Sequence, residues 1–334
     1  MVQNQSHRGK TQDPSPGWHT GYLLLLGELA TILYVGCITK AVVVTGLSAL
    51  LFPELAALSY DVFTRPRGTW AQAPFLLVLT PALAAVAGVL IEQHLDYGYL
   101  SVLLGIAIAL LIIGLLKSPI APAISAGLLP IVIGEGSWWY PATVLVSVAM
   151  LSSLLLVFRK VFYKPAAATP ISLDDILDDA VERPPRHYRW VLFFVVFLLA
   201  ELWVVNATGL RFILFPPLVV IGYEMFSHPL SCSWADRPIA LIFACMLTAF
   251  AGTAFVFWLG AGALAAILAV VMGTLVCRIF RLHVPPVLAI GLLPMVMPHP
   301  DYRFPLAVGS GTFVLSMTFM SYRYLSARKP VLRS

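Results

Sequence analysis

The sequence predicts an all-α protein, a polytopic bundle of transmembrane helices built from two similar halves. Of its 334 residues, 60% are hydrophobic and only 11% are charged, whereas soluble domains are about half apolar and a quarter charged. Apolar runs close to 20 residues long, the length that crosses a bilayer as a helix, recur along the chain. The second half of the chain also repeats the first. The high share of hydrophobic residues and the low share of charged ones exclude a soluble globular domain.

The apolar runs form two sets of six. They lie at roughly 21–39, 41–60, 74–91, 98–116, 119–134 and 139–158, and then at 190–206, 207–226, 238–258, 260–280, 284–298 and 304–322. The fifth run of each set is short and rich in proline. We expect about six membrane segments in each half, including short helices broken by proline.

The charged residues predict the orientation of these segments. If residues 1–20, 159–189 and 323–334 face the cytoplasm, 18 of the 21 Lys and Arg residues lie on that side, as the positive-inside rule requires. We therefore expect a multi-pass protein of a plasma membrane or bacterial inner membrane, with both termini cytoplasmic. The net charge of +5 follows from this topology, so we expect the lipid bilayer and no nucleic acid as a partner.

An internal duplication defines the domains. Residues 45–66 align without gaps on residues 208–229, and ten of the 22 positions are identical; after a one-residue insertion, Pro74 aligns with Pro238 and Gly88 with Gly252. Even numbers of crossings make the two repeats parallel, an arrangement common in transporters. The predicted organisation is an N-terminal cytoplasmic tail (1–20), a first membrane repeat (21–160), a linker (161–189), a second membrane repeat (190–325) and a basic cytoplasmic tail (326–334).

The linker combines a segment rich in proline and alanine with an acidic one. Ser172 is a suitable N-cap, and the aspartates that follow favour the start of a helix. Leu173, Ile176, Leu177 and Ala180 would form its narrow apolar face. We predict a short acidic surface helix, and a docking element for a partner is the alternative.

The two proline-rich segments resemble the HPP family of integral membrane proteins. The matching residues are Pro285, Pro286 and Leu292-Leu293-Pro294 in the second half, and Pro122 and Leu128-Leu129-Pro130 in the first. The family's histidine position holds Val284 or Ile120, and His283 lies one residue earlier. The resemblance implies a tandem duplication of the family's unit and the transport of a small anion such as nitrite.

The proline-rich segments also predict an anion site at the interface of the repeats. Helices that begin near Pro122 and Pro286 would present free N–H groups and a partial positive charge to an anion. The alternative is that these prolines only end cytoplasmic helices. The other candidate binding residues are Thr45, Ser48, Ser118, Ser125, Thr208, His283 and Pro285.

Arg211 is the predicted cation of the site. It replaces Ser48 of the first repeat and has apolar neighbours, and a cation at bilayer depth usually faces a cavity or a partner. In the alternative, Arg211 extends to the outer interface.

Glu28 and Glu201 lie in the first apolar run of each half. Membrane carboxyl groups are candidates for proton coupling, and pairing with Lys40 or Arg211 is the structural alternative.

No sequence motif of an enzyme is present, and we expect no catalytic activity, no cofactor and no metal. The predicted function is a transporter or channel for a small inorganic anion. The alternative is a scaffold or sensor in the membrane that acts through the cytoplasmic linker. A homo-oligomer is compatible with either.

Overall fold

A computed structural model describes residues 18–162, 173–182, 185 and 188–327. Every regular element in these ranges is helical, which confirms the all-α part of the predicted fold class. Eight of the helices are long and apolar enough to cross a membrane, and they indicate an integral, multi-pass membrane protein. The N-terminal tail up to residue 17, the predicted N-cap Ser172 and the tail from residue 328 lie outside the described residues.

The α-helices follow one another with short connections. They are α1 (Trp18–Thr45), α2 (Glu54–Thr64), α3 (Pro74–His94), α4 (Tyr99–Leu116), α5 (Ala123–Ile133), α6 (Trp139–Phe162), α7 (Leu173–Val181), α8 (Arg189–Thr208), α9 (Pro216–Ser227), α10 (Pro238–Leu259), α11 (Ala263–Phe280), α12 (Pro286–Val296) and α13 (Arg303–Ala327). On both sides of α7 the α-helices follow the same order: one long helix, a short helix, two long helices, a short helix and a final long helix. A 3₁₀ turn precedes the first short helix of each half, and the second half has a further 3₁₀ turn at Ser233–Asp236.

The second predicted span of each half is wrong. Residues 41–45 continue α1, and the next α-helix begins only at Glu54; in the second half, Thr208 ends α8 and α9 begins at Pro216. A 3₁₀ turn lies in each gap, at Ser48–Leu50 and at Arg211–Leu214. Helices of 11 or 12 residues rise only about 17 Å, roughly half of a bilayer core. Each half therefore contains two short helices, not one.

Proline and positive-φ residues set the limits of the helices around the centre. Pro74, Pro216, Pro238 and Pro286 occupy the first turn of α3, α9, α10 and α12, where the missing N–H costs nothing. At the corresponding ends of α4 and α11, Lys117 and Arg281 adopt left-handed conformations, with φ values of 49° and 52°. These residues end both helices before the proline-rich segments.

Two pairs of glycines bring the short helices close to the long ones. A Cβ on Gly88 of α3 would lie 2.1 Å from the carbonyl oxygen of Gly127 in α5, and a Cβ on Gly252 of α10 would lie 2.1 Å from that of Gly291 in α12. Gly127 and Gly291 thus pack against helices of their own halves. Small residues allow this close approach of helix backbones in membrane proteins.

The two halves meet mainly through their short helices. Helix α2 packs against α12, α5 packs against α9, and α9 also contacts α12. The long helices α1 and α11 extend the contact on one side. These four short helices are almost entirely buried, so they form the centre of the bundle.

Candidate functional site

A cluster of charged residues lies where the short helices of the two halves meet. Its centre is Arg65, directly after α2, whose side chain is only 8% exposed. The Arg65 guanidinium donates to Asp61 Oδ1 at 2.9 Å, to Asp179 Oδ1 at 2.6 Å and to Glu182 Oε1 at 2.6 Å. Asp61 belongs to α2, whereas Asp179 and Glu182 belong to the linker. We call this end of the bundle the linker end.

The cluster surrounds a cavity of about 10 Å³, roughly the room for one water molecule. Both halves and the linker contribute to its walls. The lining residues are Arg65, Trp70, Val181, Glu182, Glu224, Trp234, His283 and Pro285.

Two of the residues that line this cavity are tryptophans with unpaired indole N–H groups. Trp70 is 1% exposed and Trp234 is 3% exposed, and neither Nε1 atom has a hydrogen-bond acceptor. Buried donors are nearly always paired, so two orphans lining one cavity indicate a place for an acceptor. Each tryptophan stands four residues before the proline that starts the next long helix, in the segments WAQAP (70–74) and WADRP (234–238). The alignment of Pro74 with Pro238 predicted this repeat, but it did not predict a role for the two tryptophans.

The other charged groups of the cluster are mostly acidic. Asp61 and Glu224, which occupy equivalent positions of the duplication, are both buried, and His283 Nε2 lies 3.8 Å from Asp61 Oδ1. Burial raises the pKa of Glu182 well above its usual range; the carboxylate of Asp61 raises it further, and the Arg65 guanidinium opposes both. Three carboxyl groups thus share the Arg65 guanidinium, and burial favours the protonated form of Glu182.

The predicted binding residues divide into separate places. His283, Pro285 and Pro286 lie at the charged cluster, and Pro285 caps α12. Pro122 caps α5, and Ser118 and Ser125 lie beside it in the chain, all of them buried. The Ser118 hydroxyl accepts a hydrogen bond from Thr80 at 2.8 Å, whereas the Ser125 hydroxyl has no partner.

Glu54, which sequence reasoning missed, lies beside Ser125. It is the first residue of α2 and is 1% exposed, and its carboxyl group has the Ser125 hydroxyl as a neighbour but makes no hydrogen bond of ordinary geometry. An ionised carboxylate without a partner is very costly in such an environment. Glu201 of α8 is in the same situation: it is completely buried, and both oxygens lack a partner.

Arg211 lies on the surface, at the start of the 3₁₀ turn after α8. It is exposed, and its guanidinium carbon stands 4.5 Å from the ring centre of Tyr97, in the loop between α3 and α4. Burial raises the pKa of Tyr97 to about 12 despite the opposing effect of Arg211. Thr45, Ser48 and Thr208 are also exposed, and both threonine hydroxyls donate to carbonyls of their own helices. The structure therefore does not bring Arg211 together with His283 or Ser125.

Glu28 forms an ion pair between the halves. The Arg278 guanidinium on α11 donates to Glu28 Oε2 on α1 at 2.5 Å. Pairing was the structural alternative for this residue, and the partner is Arg278, not Lys40 or Arg211. The side chain of Glu28 is 9% exposed and that of Arg278 is 49% exposed, so only the arginine can regain water if the pair is broken.

This asymmetry predicts different costs for the two partners. We expect Glu28→Gln to lower the stability by less than about 1 kcal/mol. Arg278→Ala should cost about 1 kcal/mol more, because it leaves a buried carboxylate unpaired. Thermal unfolding of both variants in detergent measures the difference, and equal losses would contradict the assigned burial.

Comparisons of this chain with protein-family models, curated proteins and solved structures found no match.

Proposed function

We propose that this protein is a membrane transporter for a small inorganic anion of the nitrite type, with its site at the linker end between the two halves. The observation that carries the proposal is the convergence of Arg65, Trp70 and Trp234 on one cavity. A guanidinium and two orphaned N–H groups are hydrogen-bond donors that suit an oxyanion. The tryptophans come from corresponding positions of the two halves.

The N-terminus of α12 adds to this set of donors. Pro285 caps the helix and lines the cavity, so the first N–H groups and the positive end of the helix dipole lie next to it. The predicted role for a helix near Pro286 therefore remains part of the proposal. The corresponding helix α5, which begins after Pro122, does not line this cavity. The buried Ser125 in its first turn lies beside the buried Glu54 instead.

The architecture supports transport. The same order of long and short helices on both sides of α7 fits two parallel repeats, and discontinuous helices at a repeat interface are a recurring feature of transporter sites. The distribution of Lys and Arg places the linker end in the cytoplasm under this proposal. The resemblance of the proline-rich segments to the HPP family points to the same substrate class.

The carboxyl groups around the site suggest that a proton accompanies the anion. Asp61 and Glu224 flank Arg65 and the cavity, so an anion that binds there lies beside carboxyl groups that can carry a proton. The buried Glu201 and Glu54 offer two further positions for a proton along the bundle. Glu28 is less suitable, because Arg278 neutralises it.

Purified protein in liposomes tests the proposal. Uptake of nitrite, nitrate, formate and bicarbonate is measured with and without an inward proton gradient. We expect saturable uptake of at least one of these anions, stimulated by the gradient. Uptake no faster than in protein-free liposomes for all four anions would refute the proposal.

The tryptophan pair provides a sharper variant. Trp70→Phe/Trp234→Phe keeps most of each ring but removes the two donors, so we expect the KM for the anion to rise about tenfold or more, which corresponds to roughly 1.4 kcal/mol. The matched control is Trp190→Phe, since Trp190 of α8 is also buried with an unpaired Nε1 but does not line the cavity. Equal KM values in both variants would contradict the assigned donors.

A further inference from the structure

We propose that α7 and the residue directly after it form a built-in plug of the anion site: Asp179 of α7 and the adjacent Glu182 hold the guanidinium that the anion would bind, and the anion and this part of the linker exclude one another. This inference concerns the regulation of the proposed site and rests on the proposed function. It assigns a role to a segment that belongs to neither membrane half.

The C-terminal end of α7 is buried at the cavity. Val181, its last residue, is 2% exposed and lines the cavity, and Glu182 directly follows it with 8% exposure. A helix that only covered the surface would not bury these residues. The cavity that remains, about 10 Å³, has no room for an anion of three heavy atoms, since it corresponds to a single water molecule.

Two carboxyl groups of the linker occupy the Arg65 guanidinium. Glu182 Oε1 and Asp179 Oδ1 each accept a hydrogen bond of 2.6 Å from Arg65, on Nη1 and Nη2 respectively. Asp179 also accepts from the backbone N–H of Thr69 at 3.2 Å. A carboxyl group and a small oxyanion present the same pair of acceptor oxygens to a guanidinium. The linker thus occupies the terminal nitrogens of Arg65 with groups that resemble the proposed substrate.

Some buried polar atoms of the residues that line the cavity have no hydrogen-bond partner. Glu182 Oε2 is buried without a hydrogen-bond partner, as are the Nε1 atoms of Trp70 and Trp234, two residues that line the same cavity. The plug therefore takes the guanidinium but leaves the two indole donors unused. A bound anion could accept hydrogen bonds from the Arg65 guanidinium and from both indole N–H groups. Because it would gain two hydrogen bonds that the linker carboxylates do not make, anion binding favours the state in which α7 has left the site.

Cysteine labelling measures the displacement directly. In proteoliposomes, the rate at which a maleimide modifies Val181→Cys reports how often α7 leaves the site, because the residue is buried when the helix is in place. We expect sodium nitrite to raise this rate several-fold. Ile176→Cys, on the exposed side of the same helix at 53% exposure, should react at one rate with and without nitrite. The unmodified chain gives the background of its four cysteines.

Removal of the two carboxyl groups provides the second measurement. Asp179→Ala/Glu182→Ala should make Val181→Cys react rapidly without nitrite, and in the flux assay it should lower the KM for nitrite several-fold because the competitor is gone. The control is Asp236→Ala, which removes a carboxylate at the same end that binds Arg323 instead. It should change neither rate nor KM.

The outcomes separate the plug from the proposed function. Labelling of Val181→Cys that does not respond to nitrite, together with an unchanged KM in Asp179→Ala/Glu182→Ala, overturns the plug. The flux of the unmodified chain in the same liposomes then decides about the function: saturable uptake leaves the transporter standing without a plug, and absent uptake removes both.

Discussion

Replacement of Gly88 or Gly252 by alanine is expected to destabilise the fold by about 3 kcal/mol, at the upper end of overpacking costs. Each new Cβ would lie 2.1 Å from a carbonyl oxygen, that of Gly127 or Gly291. Backbone atoms of a packed helix cannot give way as the end of a flexible side chain can. The short helices α5 and α12 would have to move away from α3 and α10.

Thermal unfolding in detergent, combined with expression level, measures this effect. The matched control is Gly114→Ala in α4, where a Cβ would meet nothing within 4 Å; alanine should keep or raise the stability there, because it is the better helix former. Equal melting temperatures for Gly88→Ala and Gly114→Ala would show that the two helices are farther apart than described.

Arg65→Ala is expected to destabilise the protein by about 3–5 kcal/mol, the cost of removing one partner from a buried charge cluster. The Arg65 guanidinium binds three carboxyl groups within 2.9 Å, and Asp61 among them is completely buried. Without the cation, Asp61 loses its partner in the interior and α7 loses its anchor. Arg65→Lys should retain part of the stability, since an ammonium cannot reach all three groups in the geometry of a guanidinium.

Arg303→Ala is the control for this prediction. The side chain of Arg303 is 75% exposed and lies 3.7 Å from Asp301, so its loss should cost less than about 1 kcal/mol. Denaturation of both variants under one set of conditions gives the comparison. Similar losses for Arg65→Ala and Arg303→Ala would contradict the central position of Arg65.

The sequence predicted the helical membrane fold because composition and apolar runs reflect the bilayer directly. It did not predict the breaks after Thr45 and Thr208. Residues 41–60 are mostly apolar, and this composition fits a span as well as a turn followed by the short α2. Hydrophobicity reports burial, and it does not distinguish a helix from irregular backbone that is enclosed by protein.

The site was harder to predict than the fold. Arg211 was conspicuous among apolar neighbours, yet its position after the end of α8 exposes it. In the sequence, Arg65 resembled the other Lys and Arg residues that flank apolar runs on the predicted cytoplasmic side. Its role depends on Asp179 and Glu182, which lie more than 110 residues later in the chain. Such contacts follow from tertiary packing, which no local pattern encodes. The repeated WA-x-x-P segments were the available signal.

In the proposed site, an anion binds between the halves and accepts hydrogen bonds from the indole N–H groups of Trp70 and Trp234. The most direct measurement is a titration of the ¹⁵N-labelled protein with nitrite, observed through the indole N–H resonances of its eight tryptophans and assigned by tryptophan-to-phenylalanine variants. We predict saturable downfield shifts of the Trp70 and Trp234 signals, with stronger apparent binding in Asp179→Ala/Glu182→Ala, while the Trp190 signal stays in place. If the Trp70 and Trp234 signals do not move at saturating nitrite in either protein, the account of the site is wrong.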